Sequence, residues 1–284
     1  MIENALLEPY IGREEQSDDC ADPERLCRLA ALLDRTWSVA DGMPPLGHFV
    51  LFRPDEVQSR IGPDGHPLRD PDRMLPAISL PRRMWAGSHI RFERAIEPGA
   101  RLIRRSRVAS ASPKSGKSGH LVFCTVVHEI RAAIDGTLLI SEQQDIVYRE
   151  AHHGPDPAPR PALRPEFEPD HLTSRSVGPV ELFRYSALTF NAHRIHYDRE
   201  YARETEGYEG LVVHGPFLAT MLFDDLLQVA NTRSVVEFSF RAVSPSFDGE
   251  PLRFGVSLDG DEARLFITNP AGLAMTAWAR LSDP

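Results

Sequence analysis

Four segments, 90–96, 102–108, 121–132 and 138–148, carry the alternation of apolar and polar residues that marks half-buried strands. The connections between them are short, so neighbouring strands must run antiparallel, and this part of the chain is predicted to be a meander. The turn Ser115-Gly116-Lys117-Ser118-Gly119 resembles a fragment of a phosphate loop. The upstream glycine of that motif is missing, and a hairpin turn is the simpler reading. The apolar run that opens at Val212-Val213-His214-Gly215-Pro216 predicts one long helix over 216–230. Leu211, Phe217, Leu218, Met221, Leu222 and Leu226 form its buried stripe.

Ahead of the meander, residues 1–36 are predicted to be helical, because Pro23 opens a stretch of helical periodicity at a position where proline is tolerated. Residues 41–81 are rich in Pro and Gly and too long for an ordinary connector, which leaves a functional loop or a lost helix. Residues 150–170 are dense in proline and read as a linker. The halves on either side repeat weakly: Arg91 to Leu102 and Ser239 to Leu252 both run strand, Pro, Gly, strand. The long helix has no counterpart in the first half.

The 284 residues suit one large or two medium domains. A net charge of −9 argues against sequence-independent binding to nucleic acid or to an anionic membrane. Arg101, Arg104, Arg105 and Arg107 bunch together, as a solvated face or an anion site. Cys20, Cys27 and Cys124 give neither an even disulfide framework nor a metal spacing, and free thiols in a reducing compartment are expected. The first residues lack the basic start and apolar core of a signal peptide, and no apolar run is long enough for a membrane span. A cytoplasmic protein is expected.

Chemistry concentrates between Asn191 and Asp198, where Asn191, His193, Arg194, His196 and Asp198 fall close together. About fifteen residues later, the helix begins with Gly and Pro and can present bare backbone N–H groups. A titratable loop beside such a helix end suits the polarisation of a carbonyl and the movement of a proton. His193, His196 and His214 could also suggest zinc, but no cysteine accompanies them and HEXXH is absent.

Four segments together carry a family resemblance: Leu80-Pro81-Arg82-Arg83-Met84-Trp85-Ala86-Gly87, Gln144-Asp145-Ile146-Val147-Tyr148-Arg149, Ser186 through Asp198, and Val212 through Pro216. Nearly the whole chain resembles the two-part MaoC-like (hydratase-2) acyl-CoA hydratases of the itaconyl-CoA and mesaconyl-C4-CoA type, and hydroxyacyl-thioester dehydratase type 2. The resemblance implies an α+β double hotdog, in which an antiparallel sheet wraps a central helix, with a degenerate N-terminal copy. It divides the chain into a first domain over 1–150, a linker over 151–170 and a MaoC-like domain over 171–284. The first copy, without its helix, would offer an open apolar groove for an acyl or pantetheine chain.

The implied activity is reversible addition of water to a 2-enoyl-CoA, with a dicarboxylic acyl group such as itaconyl or mesaconyl. It needs no metal and no organic cofactor beyond the CoA of the substrate. His196 is the first catalytic candidate, because imidazole can both take and give a proton near neutral pH. Asn191 stands where the hydratase-2 motif has Asp, and an amide cannot accept a proton there. It would orient water or fix the His196 tautomer, or simply cap a turn. Gly215, with Val213 and His214, would hold the thioester oxygen through backbone N–H groups. Arg194 could meet a CoA phosphate or a carboxylate, Asp198 could hold His196, and the two could equally form a surface ion pair. Trp85 would line the acyl site. The implied partner is an acyl-CoA, in a homodimer, since open sheet edges invite pairing. A hotdog thioesterase and a non-catalytic acyl-CoA-binding subunit are the rival readings.

Overall fold

The structure, a computed structural model, describes residues 4–116, 119–150 and 163–283. After α1 (Asn4–Leu7), the first half comprises β1 (Glu14–Cys20), α2 (Pro23–Leu32), β2 (Arg82–Phe92), β3 (Arg101–Gly116), β4 (Gly119–Ala132) and β5 (Leu138–Arg149). The second comprises β6 (His171–Arg175), α3 (Pro179–Thr189), α4 (Gly215–Ala230), β7 (Ser234–Ala242), β8 (Leu252–Asp259), β9 (Glu262–Asn269) and β10 (Gly272–Ser282). Most of the linker expected over 151–170 lies outside the described residues.

The ten strands of the described residues form one antiparallel sheet in the order β1-β3-β4-β5-β2-β7-β10-β9-β8-β6. That order reads the same from either end: β2 answers β7, β5 answers β10, and so on outward to β1 and β6. The repeat suspected from two Pro-Gly turns therefore extends through every strand and also relates α2 to α3. Central to the sheet is the seam between β2 and β7, where Ser88 faces Phe240 and Ile90 faces Phe238. Gly87 follows a bulge in the pairing of β2 with β5, and a Cβ on it would lie 2.3 Å from the Phe240 carbonyl oxygen of β7, so only glycine lets the β2 and β7 backbones meet.

Among the described residues, only the second half has a central helix. Helix α4 is buried on every side from Phe217 to Leu226, as expected for a helix enclosed by a sheet. Leu211, placed in its stripe from the sequence, is buried but precedes the helix. Two acids enter the core with α4. Asp224 is held by Arg35 at 2.8 Å, and Asp225 by Arg175 and by Thr173 at 2.6 Å. Each aspartate is buried while its arginine reaches towards the surface, so these contacts tie the helix to its surroundings and fix where it can sit.

Two expectations are corrected. Residues 14–20 form edge strand β1 rather than helix; Glu-Glu-Gln-Ser-Asp-Asp-Cys has no apolar alternation, and its pairing with Arg101 to Arg107 of β3 decides the conformation. Glu14 of β1 stands directly opposite Arg107 in that ladder. Nor is the concave face of the first half simply apolar. One apolar cluster contains Leu102, Ile130 and Ile140, and another contains Val108, Val126 and Ile146. Between them, on the same strands, run Arg104, Ser106, His128, Glu142 and Gln144.

Candidate active site

The start of α4 is anchored from both sides. The Val212 N–H donates to Ile195 O at 2.9 Å, and the Val213 N–H donates to Ser246 O at 2.8 Å. Val213 therefore has no donor left for a substrate. The N–H groups of His214 and Gly215 have no acceptor among the described residues. They open a sixteen-residue helix whose dipole favours negative charge at this end. A Cβ on Gly215 would meet nothing nearer than the Trp85 carbonyl oxygen at 3.9 Å, so the approach to these donors is open. Trp85 itself is fixed by its indole N–H, which donates to Ser88 Oγ at 2.9 Å.

His196 belongs to a short turn that begins one residue after His193. Its Nδ1 lies 2.7 Å from Val212 O. A carbonyl only accepts, so Nδ1 carries the proton and Nε2 keeps its lone pair. Burial drives the imidazole down to about 4, although the bond to Val212 pulls the other way. The ring is therefore neutral near pH 7, with a basic nitrogen beside the cavity. His214 lies against it, buried and held well below the usual imidazole range by burial and by the neighbouring rings. Its Nε2 contacts Ser186 Oγ at 2.9 Å.

The remaining sequence candidates divide. Asn191 Oδ1 accepts the backbone N–H of His193 at 3.0 Å, so the amide caps the turn, and the His196 tautomer is set by Val212 instead. Arg194 and Asp198 pair with each other at 2.7 Å on the surface side. Asp198 also accepts the Tyr201 N–H at 3.0 Å and does not hold His196. Among the described residues, no group of three or more His, Cys, Asp or Glu is arranged to hold a metal ion.

Two residues of the site were missed in the sequence. His66 and Asp64 come from the Pro/Gly-rich stretch of the first half, yet the His66 ring lies 4.0 Å from that of His193, which in turn is 5.4 Å from His196. Their loop is fastened to the second half: the Arg194 N–H donates to Asp64 O at 2.9 Å, and Arg194 Nη1 donates to Pro63 O at 3.1 Å. Gly65 makes the fit possible; it has φ +90°, and a Cβ there would lie 1.7 Å from Ala192 O. Local pattern gave no sign of this. The only cue was a compact Gly-Pro-Asp-Gly-His-Pro turn inside a loop too long for a connector.

His66, His193, His196, Gly215 and Trp85 line one cavity of about 1800 Å³. The same cavity extends over the polar band of Arg104, His128 and Glu142. Arg104 forms no hydrogen bond or ion pair among the described residues; its guanidinium stacks 4.8 Å from the centre of the Phe52 ring, and its buried Nε has no partner.

Comparison with known proteins agrees with this geometry. The family profile of hydroxyacyl-thioester dehydratase type 2 matches residues 46–248. The mesaconyl-C(4)-CoA hydratase of Chloroflexus aurantiacus is 43% identical over 267 residues, covering 93% of each chain. The mitochondrial hydroxyacyl-thioester dehydratase type 2 of Schizosaccharomyces pombe is 28% identical over 244 residues, covering 77% of this chain and 79% of its own. Among solved structures, the MaoC-like dehydratase from Phytophthora capsici superposes with a TM-score of 0.70 at 13% identity, covering 100% of both chains. HtdX of Mycobacterium tuberculosis gives 0.68 at 17% identity, covering 94% of this chain and 99% of its own. These two likenesses show the hotdog fold.

Proposed function

The chain belongs to the hydroxyacyl-thioester dehydratase type 2 family and is a hydro-lyase of the MaoC-like kind, and from that premise we propose that it adds water reversibly to a dicarboxylic 2-enoyl-CoA. The observation that carries the reading is the pairing of His196 with the start of α4. The thioester oxygen accepts from the Gly215 and His214 N–H groups, which drain charge from the double bond and make its β-carbon electrophilic. Water hydrogen-bonded to His196 Nε2 attacks that carbon, and the enolate that forms is held by the same N–H groups. The attacking water gives up one proton as its oxygen bonds to the β-carbon, and return of that proton to the α-carbon completes the addition. CoA enters as part of the substrate, and the chemistry calls on no metal and no organic cofactor.

Two observations support a dicarboxylic acyl group. The Chloroflexus relative is a mesaconyl-C(4)-CoA hydratase. Arg104 places an unpaired guanidinium on the wall of the first-half cavity, where a long alkyl chain would need apolar cover and a carboxylate would find a partner. Mesaconyl-C4-CoA is preferred, with itaconyl-CoA as the second choice. In this reading, residues 1–150 shape the acyl pocket and residues 171–284 carry the oxyanion donors and His196. The exposed edges β1 and β6 make a homodimer the proposed assembly, in the cytoplasm. No described helix is long and apolar enough to cross a membrane.

The test is an assay with mesaconyl-C4-, itaconyl- and crotonyl-CoA, followed by enoyl absorbance and by free thiol. Loss of enoyl absorbance without thiol, fastest with mesaconyl-C4-CoA, is expected. Thiol release would make the protein a thioesterase, and no change with any substrate would make it a binder.

A further inference from the structure

Asn191 leaves the site without the carboxylate that would steady a proton beside His196. A carboxylate on the cavity wall belongs to the other half of the chain. Asp64 Oδ2 lies 3.1 Å from His66 Nδ1, and Asp64 Oδ1 accepts the His66 backbone N–H at 3.0 Å. The carboxylate can only accept, so the neutral imidazole carries its proton on Nδ1 and leaves Nε2 basic. This is the arrangement in which a carboxylate sets a histidine tautomer and stabilises the imidazolium that forms during turnover. His196 has no such counter-charge, because its Nδ1 is bonded to a neutral carbonyl.

We infer that Asp64 and His66 form an acid–base dyad that the first half of the chain lends to the second, with His66 carrying the proton that moves in the reaction. The inference rests on the hydratase reading above. A water molecule gives one proton to His66 Nε2 while its oxygen bonds to the β-carbon of the enoyl thioester. The π electrons move to the thioester oxygen, held at Gly215. The enolate then collapses and takes the proton from His66 at the α-carbon, which restores the neutral dyad. His196 Nε2 accepts the other hydrogen of the water and aims it. His66 is thus a catalytic residue, and Asp64 is a positioning residue that acts through it.

The groups facing His66 fit this role. Burial, with Arg83 of β2 and Arg69 of its own loop, holds the His66 imidazole below its usual range and so leaves it a free base, while the bond to Asp64 pulls the other way. His193 and His196 are the neighbouring rings. The contacts with His66 hold Asp64 at about 2 against the upward push of burial, so the carboxylate stays ionised wherever the enzyme works.

The experiment compares full-length wild type, Asp64→Asn, His66→Gln and His66→Ala in hydration kinetics from pH 5 to 9, with melting temperatures. His66→Gln and His66→Ala should lose about a hundredfold or more in kcat with KM within threefold, the usual scale for a general acid–base group. Added imidazole should restore part of the His66→Ala rate in proportion to its free base. Asp64→Asn removes the counter-charge, so kcat should fall at least about tenfold and the acid limb of kcat/KM should move to lower pH. Folded His66 variants within threefold of wild type would overturn the inference. So would a loss in His66→Ala that imidazole leaves untouched, together with an unshifted profile in Asp64→Asn; the dyad would then only fasten the loop. A wild type silent on every enoyl-CoA would instead defeat the hydratase reading itself.

Discussion

The imidazole of His196 lies almost parallel to that of His214, with ring centres 3.6 Å apart and planes 19° from parallel. Among the described residues, neither ring has a carboxylate against it. A proton on one would meet the face of the other in a buried space, so both are held neutral and the pair behaves as a proton-poor block behind the reacting atoms.

Acid should therefore destabilise the protein before it protonates the site. The His196 pKa falls from about 6.5 in the unfolded chain to about 4 in the folded one. Between those values the unfolded state binds the extra proton, so stability rises with pH across this window and is level above it. His196 alone accounts for about 3 kcal/mol lost between pH 7 and pH 4. His193, lowered to about 2 by burial and its histidine neighbours, adds to the slope. Urea melts at pH 7 and pH 5 should show the loss, and His196→Gln should flatten it. The same substitution removes the acceptor that aims the water and should cut kcat about a hundredfold at pH 7.

Gly215→Ala separates fold from chemistry. The added methyl has room, since its nearest neighbour would be the Trp85 oxygen at 3.9 Å, and alanine suits a helix better than glycine. The melting temperature should hold or rise. The methyl would stand beside the N–H groups that receive the thioester oxygen, and kcat should fall about ten- to hundredfold.

Arg104→Met tests what the polar band selects. Methionine keeps much of the side-chain length and removes the guanidinium. kcat/KM for mesaconyl-C4-CoA should drop about a hundredfold, the scale for leaving a buried charge unpaired, while that for crotonyl-CoA stays within threefold. Parallel losses on both substrates in competition kinetics would show that the band only supports the sheet.

The two variants of Asn191 should behave differently. Asn191→Asp keeps an oxygen for the His193 N–H and should leave the melting temperature unchanged, whereas Asn191→Ala removes the cap and should cost about 1 kcal/mol. If the site uses the amide only as a cap, Asn191→Asp retains most of its activity and Asn191→Ala loses more than Asn191→Asp in the same assay.

The meander and α4 were legible in the sequence because each carries its own period: two for β2 to β5 and an apolar run for α4. His196 and Gly215 were legible because they stand in a local motif. β1 was not, since a polar edge strand has no period and exists only through its partner β3. Arg104, His128 and Glu142 occupy inward positions but are polar, so they broke the alternation that would have marked the cavity face. Asp64 and His66 reach the site by a contact across about 130 residues of chain, which no local pattern encodes.

The backbone ladder between β2 and β7 has a consequence for how such a molecule can change. In a pair of identical subunits, every substitution happens twice. A change that empties one protomer's centre to admit substrate would also strip the other's of its oxyanion donors. Here the two equivalents are written separately in one chain, so one could give up its helix and fill its face with Arg104 and Glu142 while the other kept α4. Copies joined in one chain are free of each other's constraints, and the loop of Asp64 and His66, fastened to Arg194, ties the two halves together at the site.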